Sequence, residues 1–395
     1  MSIAIVLMVK DESKCIARTI QSCNKSFING IIVYDTGSTD DTIEIIRRES
    51  EVPVDVSYGT FEDFATSRNK CLEFANTKNY DFLLFLDAND ELVTSSSFEL
   101  PDSALTDLSI NAWMIDIRWK INSDKEIRYK NIKLIRSHVP DFCWKGVVHE
   151  HLDTAEHKVG YIGNGIEIYQ DRTTCDNDRS RDRWAIDRVL LEKEFTRDPS
   201  DHRTVFYLAQ TYDCLGERKL AYDHYEIRSN MIGGFEEERF YSLLQCGKLA
   251  NDILKNNHLA IHWYTRACTH TNCDRAEPLI ALSYIFNGLK NVKLAHAFAK
   301  LACELKYPKD DLLFVDTDCY DYLRWHQLGI VSWYAGKMSD GYLGCMEAIK
   351  SKNKDIDRNN LTFYESLTTS NKQLICNSGL GLDGDMVSGC TYCKV

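Results

Sequence analysis

The sequence predicts a doubly wound α/β domain followed by an all-helical repeat domain. Two observations predict this order. Up to about residue 90, short β-branched runs alternate with helical stretches, and after about residue 178 the spacing is helical throughout. Runs that are apolar on both faces are what a parallel sheet covered by helices on both sides requires. The length of 395 residues fits two or three domains of ordinary size.

The first part of the chain contains four predicted strands and three predicted helices. The strands are Ile3–Met8, Ile31–Tyr34, Val54–Tyr58 and Phe82–Leu86. The first and third helices are Glu12–Cys23 and Phe64–Asn76. The second runs through Ile43, Ile46 and Arg47, and Thr39 or Asp40 can cap its N-terminus. Shorter strand-like pieces follow and predict a mixed extension of the same sheet: Ala112–Trp119, Ile127–Leu134 and Tyr161–Tyr169.

The helical part repeats a pattern of small and aromatic residues. The stretch from Phe206 to Tyr225 follows the tetratricopeptide spacing, and its second half recurs from Ala260 and again from Ala295. A small residue allows two paired helices to cross closely, so the pattern has a steric cause. We therefore predict an α/β domain over residues 1–175, helical repeats over 178–350 and a C-terminal extension over 351–395. The Gly-rich end of this extension is expected to be mobile.

Composition excludes several classes of protein. The chain has 47 Lys and Arg against 59 Asp and Glu, a net charge of −12, which argues against nucleic acid as a partner. Its 15 cysteines, spread among apolar residues, indicate reduced thiols and a cytoplasmic location. No apolar run approaches the ~20 residues that span a bilayer, so we predict no membrane span.

Polar residues follow three of the predicted strands. These segments are Lys10–Glu12, Asp35–Asp40 and Asp87–Glu91. Ligands bind beyond the carboxyl ends of the strands in such sheets, so we expect the functional site here. Carboxylate and amide oxygens on the turn from Asp87 predict a site for Mg²⁺ or Mn²⁺ that a diphosphate also contacts. A dinucleotide-dependent oxidoreductase is excluded because no Gly-x-Gly-x-x-Gly follows the first strand.

Five ordered motifs carry a resemblance to a known family. They are Met8-Val9-Lys10-Asp11-Glu12, Tyr34-Asp35-Thr36-Gly37-Ser38-Thr39-Asp40, Phe64-Ala65-Thr66-Ser67-Arg68-Asn69, Leu86-Asp87-Ala88-Asn89-Asp90-Glu91-Leu92 and Trp144-Lys145-Gly146-Val147-Val148-His149-Glu150. In this order, over roughly residues 1 to 170, they resemble family 2 glycosyltransferases in which tetratricopeptide-like repeats follow a GT-A catalytic domain.

The resemblance implies an inverting, metal-assisted transfer of a hexose or N-acetylhexosamine from a nucleotide sugar, expected to be a UDP-sugar. The acceptor would be a protein, a peptide or a glycan that the repeats help to hold. The resemblance also implies roles for residues of the motifs. Donor binding is expected of Val9, Asp11, Asp35, Arg68 and Asp87, with Asp35 near the base and ribose and Arg68 near the diphosphate. Metal binding is expected of Asp87, Asn89 and His149.

The catalytic base is expected near the last motif. A single in-line displacement needs a base that takes the proton of the incoming hydroxyl, and Glu150 is the candidate. Asp141 and Glu91 are alternatives that the sequence leaves open. Asn89 stands where the Asp-x-Asp motif has its second Asp. The amide of Asn89 can still coordinate a divalent ion through its oxygen, but it brings no negative charge to the metal. The alternative function is therefore a catalytically weak or inactive domain that serves as a repeat-type protein-binding scaffold.

Overall fold

A computed structural model describes residues 2–96, 98–99, 107–120, 126–154, 157–171 and 177–378. The Gly-rich end that the sequence predicts to be mobile lies, from residue 379 on, outside the described residues.

A mixed eight-stranded sheet organises the N-terminal part of the chain. Its strands, in the spatial order β3-β2-β1-β4-β7-β6-β10-β5, are β1 Ile3–Val9, β2 Gly30–Asp35, β3 Val54–Tyr58, β4 Phe82–Leu86, β5 Glu91–Thr94, β6 Ile110–Lys120, β7 Glu126–Arg136 and β10 Lys158–Asp171. The pairings β3-β2, β2-β1, β1-β4 and β6-β10 are parallel, and β4-β7, β7-β6 and β10-β5 are antiparallel. The predicted α/β fold with a mixed extension is confirmed. A separate short hairpin pairs β8 Trp144–Lys145 with β9 His151–Leu152.

The sheet is buried on both faces, as its apolar strands require. Alternate residues of β1 enter two hydrophobic clusters, with Ile3 and Ile5 in one and Ala4 and Val6 in the other. Three helices precede the extension: α1 Ile16–Cys23, α2 Thr42–Glu49 and α3 Phe64–Asn76. The first begins later than Glu12, since Asp11 adopts a left-handed backbone conformation with φ of 52° and residues 13–15 form a turn.

A series of helices follows the sheet. They are α4 Asn177–Arg197, α5 His202–Cys214, α6 Arg218–Asn230, α7 Glu236–Asp252, α8 Asn257–His270, α9 Ala276–Gly288, α10 Val292–Glu304, α11 Arg324–Ala335, α12 Met338–Lys352 and α13 Asp355–Ser378. The small residues that set the repeat spacing, Ala221, Ala260 and Ala295, are completely buried. The tetratricopeptide-like helical repeats are therefore confirmed.

The chain forms two compact units. One contains the described residues through Thr271 together with Pro308–Asp316, and the other contains Asn272–Tyr307 and the described residues from Thr317 on. The change from sheet to helices falls between Asp171 and Asn177. The domain boundary that the sequence predicts at residues 175–178 stays a prediction.

Gly344 on α12 is a sensitive test of the helix packing in the second unit. A Cβ at this position would lie 2.5 Å from the backbone nitrogen of Gly329 on α11 and 2.8 Å from the carbonyl oxygen of Trp325. Backbone atoms cannot move aside cheaply, so we expect Gly344→Ala to lower the free energy of unfolding by about 2 kcal/mol. Urea unfolding followed by circular dichroism measures it. Gly288→Ala on α9 is the control, since within the described part of the chain a Cβ there would meet no atom of another element within 4 Å. An equal loss in both variants would contradict the packing argument.

Candidate active site

The predicted polar segments lie at one edge of the sheet. Strand β1 lies between β2 and β4 and is parallel to both, so the carboxyl ends of all three strands meet at the same edge. The segments that begin at Lys10, Thr36 and Asp87 follow these three ends directly. The fold thus brings together three of the five motifs, which lie up to eighty residues apart in the chain.

The loop after β2 is held by Asp35 and by the end of β1. One carboxylate oxygen of Asp35 accepts hydrogen bonds from the backbone N–H groups of Gly37 (3.1 Å) and Ser38 (2.8 Å). Thr36 donates its backbone N–H (3.0 Å) and its hydroxyl (3.2 Å) to the carbonyl oxygen of Val9. Asp35 is almost fully buried, so the backbone donors compensate the cost of burying its charge.

Asp11 fastens the same loop from the other side. Its backbone N–H donates to the hydroxyl oxygen of Ser38 at 3.1 Å. Its carboxylate accepts from the backbone N–H of Thr39 at 2.7 Å and from the Thr39 hydroxyl at 3.1 Å. Val9, Asp11 and Asp35, three of the five residues predicted to bind the donor, therefore form one hydrogen-bonded cluster that shapes the loop.

Arg68 joins the third, fourth and fifth motifs. Its Nη2 lies 2.5 Å from Oδ1 of Asp87, and its Nε donates to the carboxylate of Glu150. The guanidinium lies over the ring of Trp144, with Cζ 5.2 Å from the ring centroid. Burial alone would lower the pKa of Arg68, but the charges of Glu150 and Asp87 outweigh it and raise the pKa. Arg68 is a permanently charged bridge between two candidate functional carboxylates.

Helix α3 and the hairpin fix the position of Glu150. Asp63 caps α3 by accepting the backbone N–H of Thr66 at 2.7 Å. One turn further, Asn69 bonds Trp144 twice, donating to its carbonyl oxygen at 3.0 Å and accepting its N–H at 2.7 Å. The side chain of Glu150 is only 12% exposed. The loop that carries this carboxylate is thus tied to the helix that carries Arg68.

The turn after β4 is closed by Asp90 and by a lysine that the sequence did not single out. Oδ2 of Asp90 accepts the backbone N–H of Asp87 at 2.9 Å. Nζ of Lys133, on β7, lies 3.3 Å from this same Oδ2 and 3.6 Å from Oδ2 of Asp87. Burial alone would raise the pKa of Asp87, but the charges of Lys133 and Arg68 hold it well below its usual range.

The three predicted metal ligands each have another partner. Both oxygens of Asp87 face cations, and the amide oxygen of Asn89 accepts a hydrogen bond from Gln170 at 2.7 Å. The ring of His149 stacks on Tyr207 of α5, with centroids 4.1 Å apart and planes 15° apart. Among the residues that the structure describes, no group of three or more His, Cys, Asp or Glu side chains could hold a metal ion. As placed, the side chains do not fit a divalent ion at Asp87, and such an ion stays a prediction of the resemblance.

The two alternative bases have surroundings that differ from those of Glu150. Asp141 is exposed and adopts a left-handed backbone conformation with φ of 67°. Glu91 lies on β5, 3.7 Å from Arg18. Glu150, by contrast, contacts Arg68, which also contacts Asp87.

Asp187 on α4 is a further carboxylate at this site that sequence reasoning missed. It is 3% exposed, and its Oδ1 has no hydrogen-bond partner among the residues that the structure describes. Burial raises its pKa to about 6; the nearby charge of Arg183 lowers it and that of Glu150 adds to the rise. No motif surrounds it, so only the fold reveals that it faces Glu150.

Asp187→Asn should stabilise the protein in a pH-dependent way. In the folded state Asp187 keeps its proton up to about pH 6, whereas in the unfolded state it releases the proton near pH 3.8. The free energy of unfolding of the wild type therefore falls as pH rises between these two values. We expect the advantage of the variant to grow by about 2 kcal/mol between about pH 4 and about pH 7. Urea unfolding at both pH values measures it. An advantage that is constant with pH would show that Asp187 does not titrate as described.

Comparison with known proteins finds one family that matches part of the chain. Residues 4–97 match the profile of the family described as Glycosyl transferase family 2. The resemblance seen in the motifs is thereby confirmed over these residues, and TPR-like helical repeats follow them.

Two curated proteins are similar over a longer stretch. The SPbeta prophage-derived glycosyltransferase SunS of Bacillus subtilis (strain 168) and the glycosyltransferase SunS of Bacillus phage SPbeta are each 24% identical over 272 residues, which cover 65% of this chain and 60% of the relative. The chain thus spans about 60% of the length of these relatives. A solved structure of S. aureus TarS 1-349 in complex with UDP-GlcNAc is 13% identical and covers 69% of this chain and 92% of that chain, with a TM-score of 0.36. That score is too low to bear on fold or function.

Among the described residues, no helix is long and apolar enough to cross a membrane.

Proposed function

We propose that this protein is a glycosyltransferase that moves a sugar from a nucleotide sugar, expected to be a UDP-sugar, to a protein, peptide or glycan acceptor with inversion at the anomeric carbon. The observation that carries the proposal is the Arg68 bridge between Asp87 and Glu150 at the strand ends. The family 2 match over residues 4–97 and the names of the two curated relatives support it.

The chemistry needs one proton acceptor and one group that stabilises the leaving diphosphate. An acceptor hydroxyl oxygen attacks the anomeric carbon, the bond from that carbon to the diphosphate oxygen breaks, and the leaving group takes the electron pair. Glu150 takes the hydroxyl proton as the new bond forms. Its contact with Arg68 fixes the direction of the carboxylate before substrate binds.

Arg68 supplies positive charge next to the donor. A guanidinium binds two oxygens of a phosphate group with a fixed geometry, and its charge is worth most where water is excluded. Arg68 is 8% exposed. The cluster of Val9, Asp11 and Asp35 lies at the neighbouring strand ends, where the resemblance expects the base and ribose. These residues shape the nucleotide pocket in our proposal.

A cleft beside the hairpin is the proposed route for the acceptor. The cavity has a volume of about 1310 Å³. Its lining includes Trp144, Val147 and His151, on both sides of Glu150 in the chain, and Leu190 and Arg203 of the first helices. An extended peptide or a glycan chain fits a cleft of this size better than a single small sugar does.

Release of nucleoside diphosphate tests the proposal. The protein is incubated with a panel of UDP-sugars with and without Mn²⁺, and wild type is compared with Asp87→Ala. We expect release from one donor at least and a loss of about 100-fold or more in the variant. Asp223→Ala, which replaces an exposed aspartate on α6, is the control and should keep full release.

The same assay distinguishes the proposed function from the alternative function, a catalytically inactive scaffold. Asn89, which stands where the family motif has Asp, favours a scaffold that has lost catalysis. Such a protein would release no nucleotide from any donor and would bind none in calorimetry, yet would still capture a peptide. Equal release from wild type and Asp87→Ala would also overturn our proposal.

A further inference from the structure

We propose that Lys133 takes the place of the divalent ion at the diphosphate site, so that sugar transfer does not require a metal. This inference rests on the proposed glycosyltransferase function and concerns how the same site handles the charge of the leaving group. It arises from the disagreement between the side chains observed after β4 and the metal site that the motifs predict.

The ammonium group of Lys133 lies between two carboxylates of the fourth motif, those of Asp87 and Asp90. Its Nζ is 3.3 Å from Oδ2 of Asp90 and 3.6 Å from Oδ2 of Asp87. A divalent ion held by this turn would need the same oxygens. Because Lys133 comes from the interior strand β7, which pairs with β4, its position is set by the sheet rather than by a flexible loop.

The surroundings of Lys133 are built to hold a buried cation. Lys133 is 8% exposed and Asp90 is 2% exposed. A second anchor orients Asp90, because Gln170 donates to its Oδ1 at 3.3 Å and to Asn89 at 2.7 Å. A buried lysine and a buried aspartate are each costly alone, so this arrangement is stable only while both are present.

Lys133 is one of two side-chain cations at this turn. Arg68 provides a second fixed cation on the other oxygen of Asp87. Two side-chain cations thus border the turn where a leaving diphosphate would develop negative charge, which is the task that a metal performs in such a site.

The departure at Asn89 agrees with this reading. A neutral amide in place of the second Asp removes one negative charge, and its oxygen already accepts a hydrogen bond from Gln170. A site that binds Mg²⁺ or Mn²⁺ gains from charged ligands. A site whose cation is a lysine on the protein needs fewer, because the cation is covalently attached and does not have to be captured from solution.

Nucleotide release in EDTA and direct titration with MnCl₂ test the proposal together. We expect the wild type to release nucleotide in EDTA at no less than about half its rate with Mn²⁺. Lys133→Met should lower release in EDTA by about 100-fold, whereas Lys133→Arg keeps a cation between the carboxylates and retains metal-free release. Lys130→Met is the matched control on the same strand, since its Nζ lies over the ring of Tyr161, and it should behave as wild type.

The titration gives a readout that does not depend on turnover. In calorimetry without nucleotide, we expect no Mn²⁺ binding to wild type and new Mn²⁺ binding to Lys133→Met, because the variant frees the oxygens of Asp87 and Asp90. Mn²⁺ binding to wild type, loss of release in EDTA, or full release by Lys133→Met would each overturn the proposal. If Lys133→Met does not fold, the wild type in EDTA and Lys133→Arg decide it.

The two proposals fail in different ways. Release that occurs only with Mn²⁺ would overturn the role of Lys133 and leave the glycosyltransferase function standing. Absence of release from every donor in both conditions would overturn the function, and the Mn²⁺ titration would still decide whether Lys133 holds the cation position.

Discussion

Replacing Glu150 by Gln should lower the rate of sugar transfer by about 10²- to 10⁴-fold while leaving donor binding nearly unchanged. The amide keeps the shape of the side chain and can still accept a hydrogen bond from Arg68, but it cannot take a proton at neutral pH. The measurement pairs single-turnover transfer rates with calorimetric titration of the nucleotide. If Glu150 is the base, the variant loses its transfer rate but keeps its affinity for the nucleotide, because the base acts only as the new bond forms.

The two other carboxylates that the sequence left open are the matched controls for this experiment. Asp141→Asn and Glu91→Gln make the same chemical change at an exposed residue and at a residue that pairs with Arg18 at 3.7 Å. We expect both variants to transfer sugar within about threefold of wild type, as surface substitutions outside a site usually do. Loss of transfer in either control, with transfer kept in Glu150→Gln, would move the base to that residue.

Replacing Arg68 by Met should weaken donor binding and destabilise the fold at the same time. The change leaves Glu150, which is 12% exposed, without its cation, and unpaired buried charges cost about 3 to 5 kcal/mol. It also removes one of the two cations next to Asp87. We expect the Kd for UDP to rise by about 100-fold and the free energy of unfolding to fall by about 3 kcal/mol. Calorimetry and urea unfolding measure the two effects.

Arg18→Met is the control for Arg68→Met. Arg18 also pairs with a carboxylate near the site, Glu91 at 3.7 Å, but its side chain is 47% exposed. Exposed ion pairs contribute at most about 1 kcal/mol, so we expect little change in stability. A loss of stability in Arg18→Met as large as in Arg68→Met would show that burial is not the cause.

The sequence predicted the fold closely because each element carries its own local signal. Strands β3 and β4 and helix α3 begin and end where predicted, and β1 differs by one residue. The predicted cap of α2 is partly right, since Asp40 accepts the backbone N–H of Thr42 at 3.1 Å although Asp41 is the residue at the cap position. The short strand β5 was not predicted, because its four residues, which begin at the end of the polar segment Asp87–Glu91, carry little strand pattern.

The candidate site could be predicted only where motifs mark it. Arg68, Asp87 and Glu150 lie in three separate motifs, and the structure brings them into contact. Lys133 and Asp187 carry no motif, because their importance arises from contacts between distant parts of the chain. The same is true of the ring of His149, whose stacking on Tyr207 joins the last motif to the first repeats.

A crystal structure of the protein with UDP tests the central claim most directly. The claim predicts a diphosphate in contact with the guanidinium of Arg68 and a uridine beside the loop that Asp35 closes. Difference density for the nucleotide in the cleft between Trp144 and Arg203, or anywhere away from the ends of β1, β2 and β4, would contradict it.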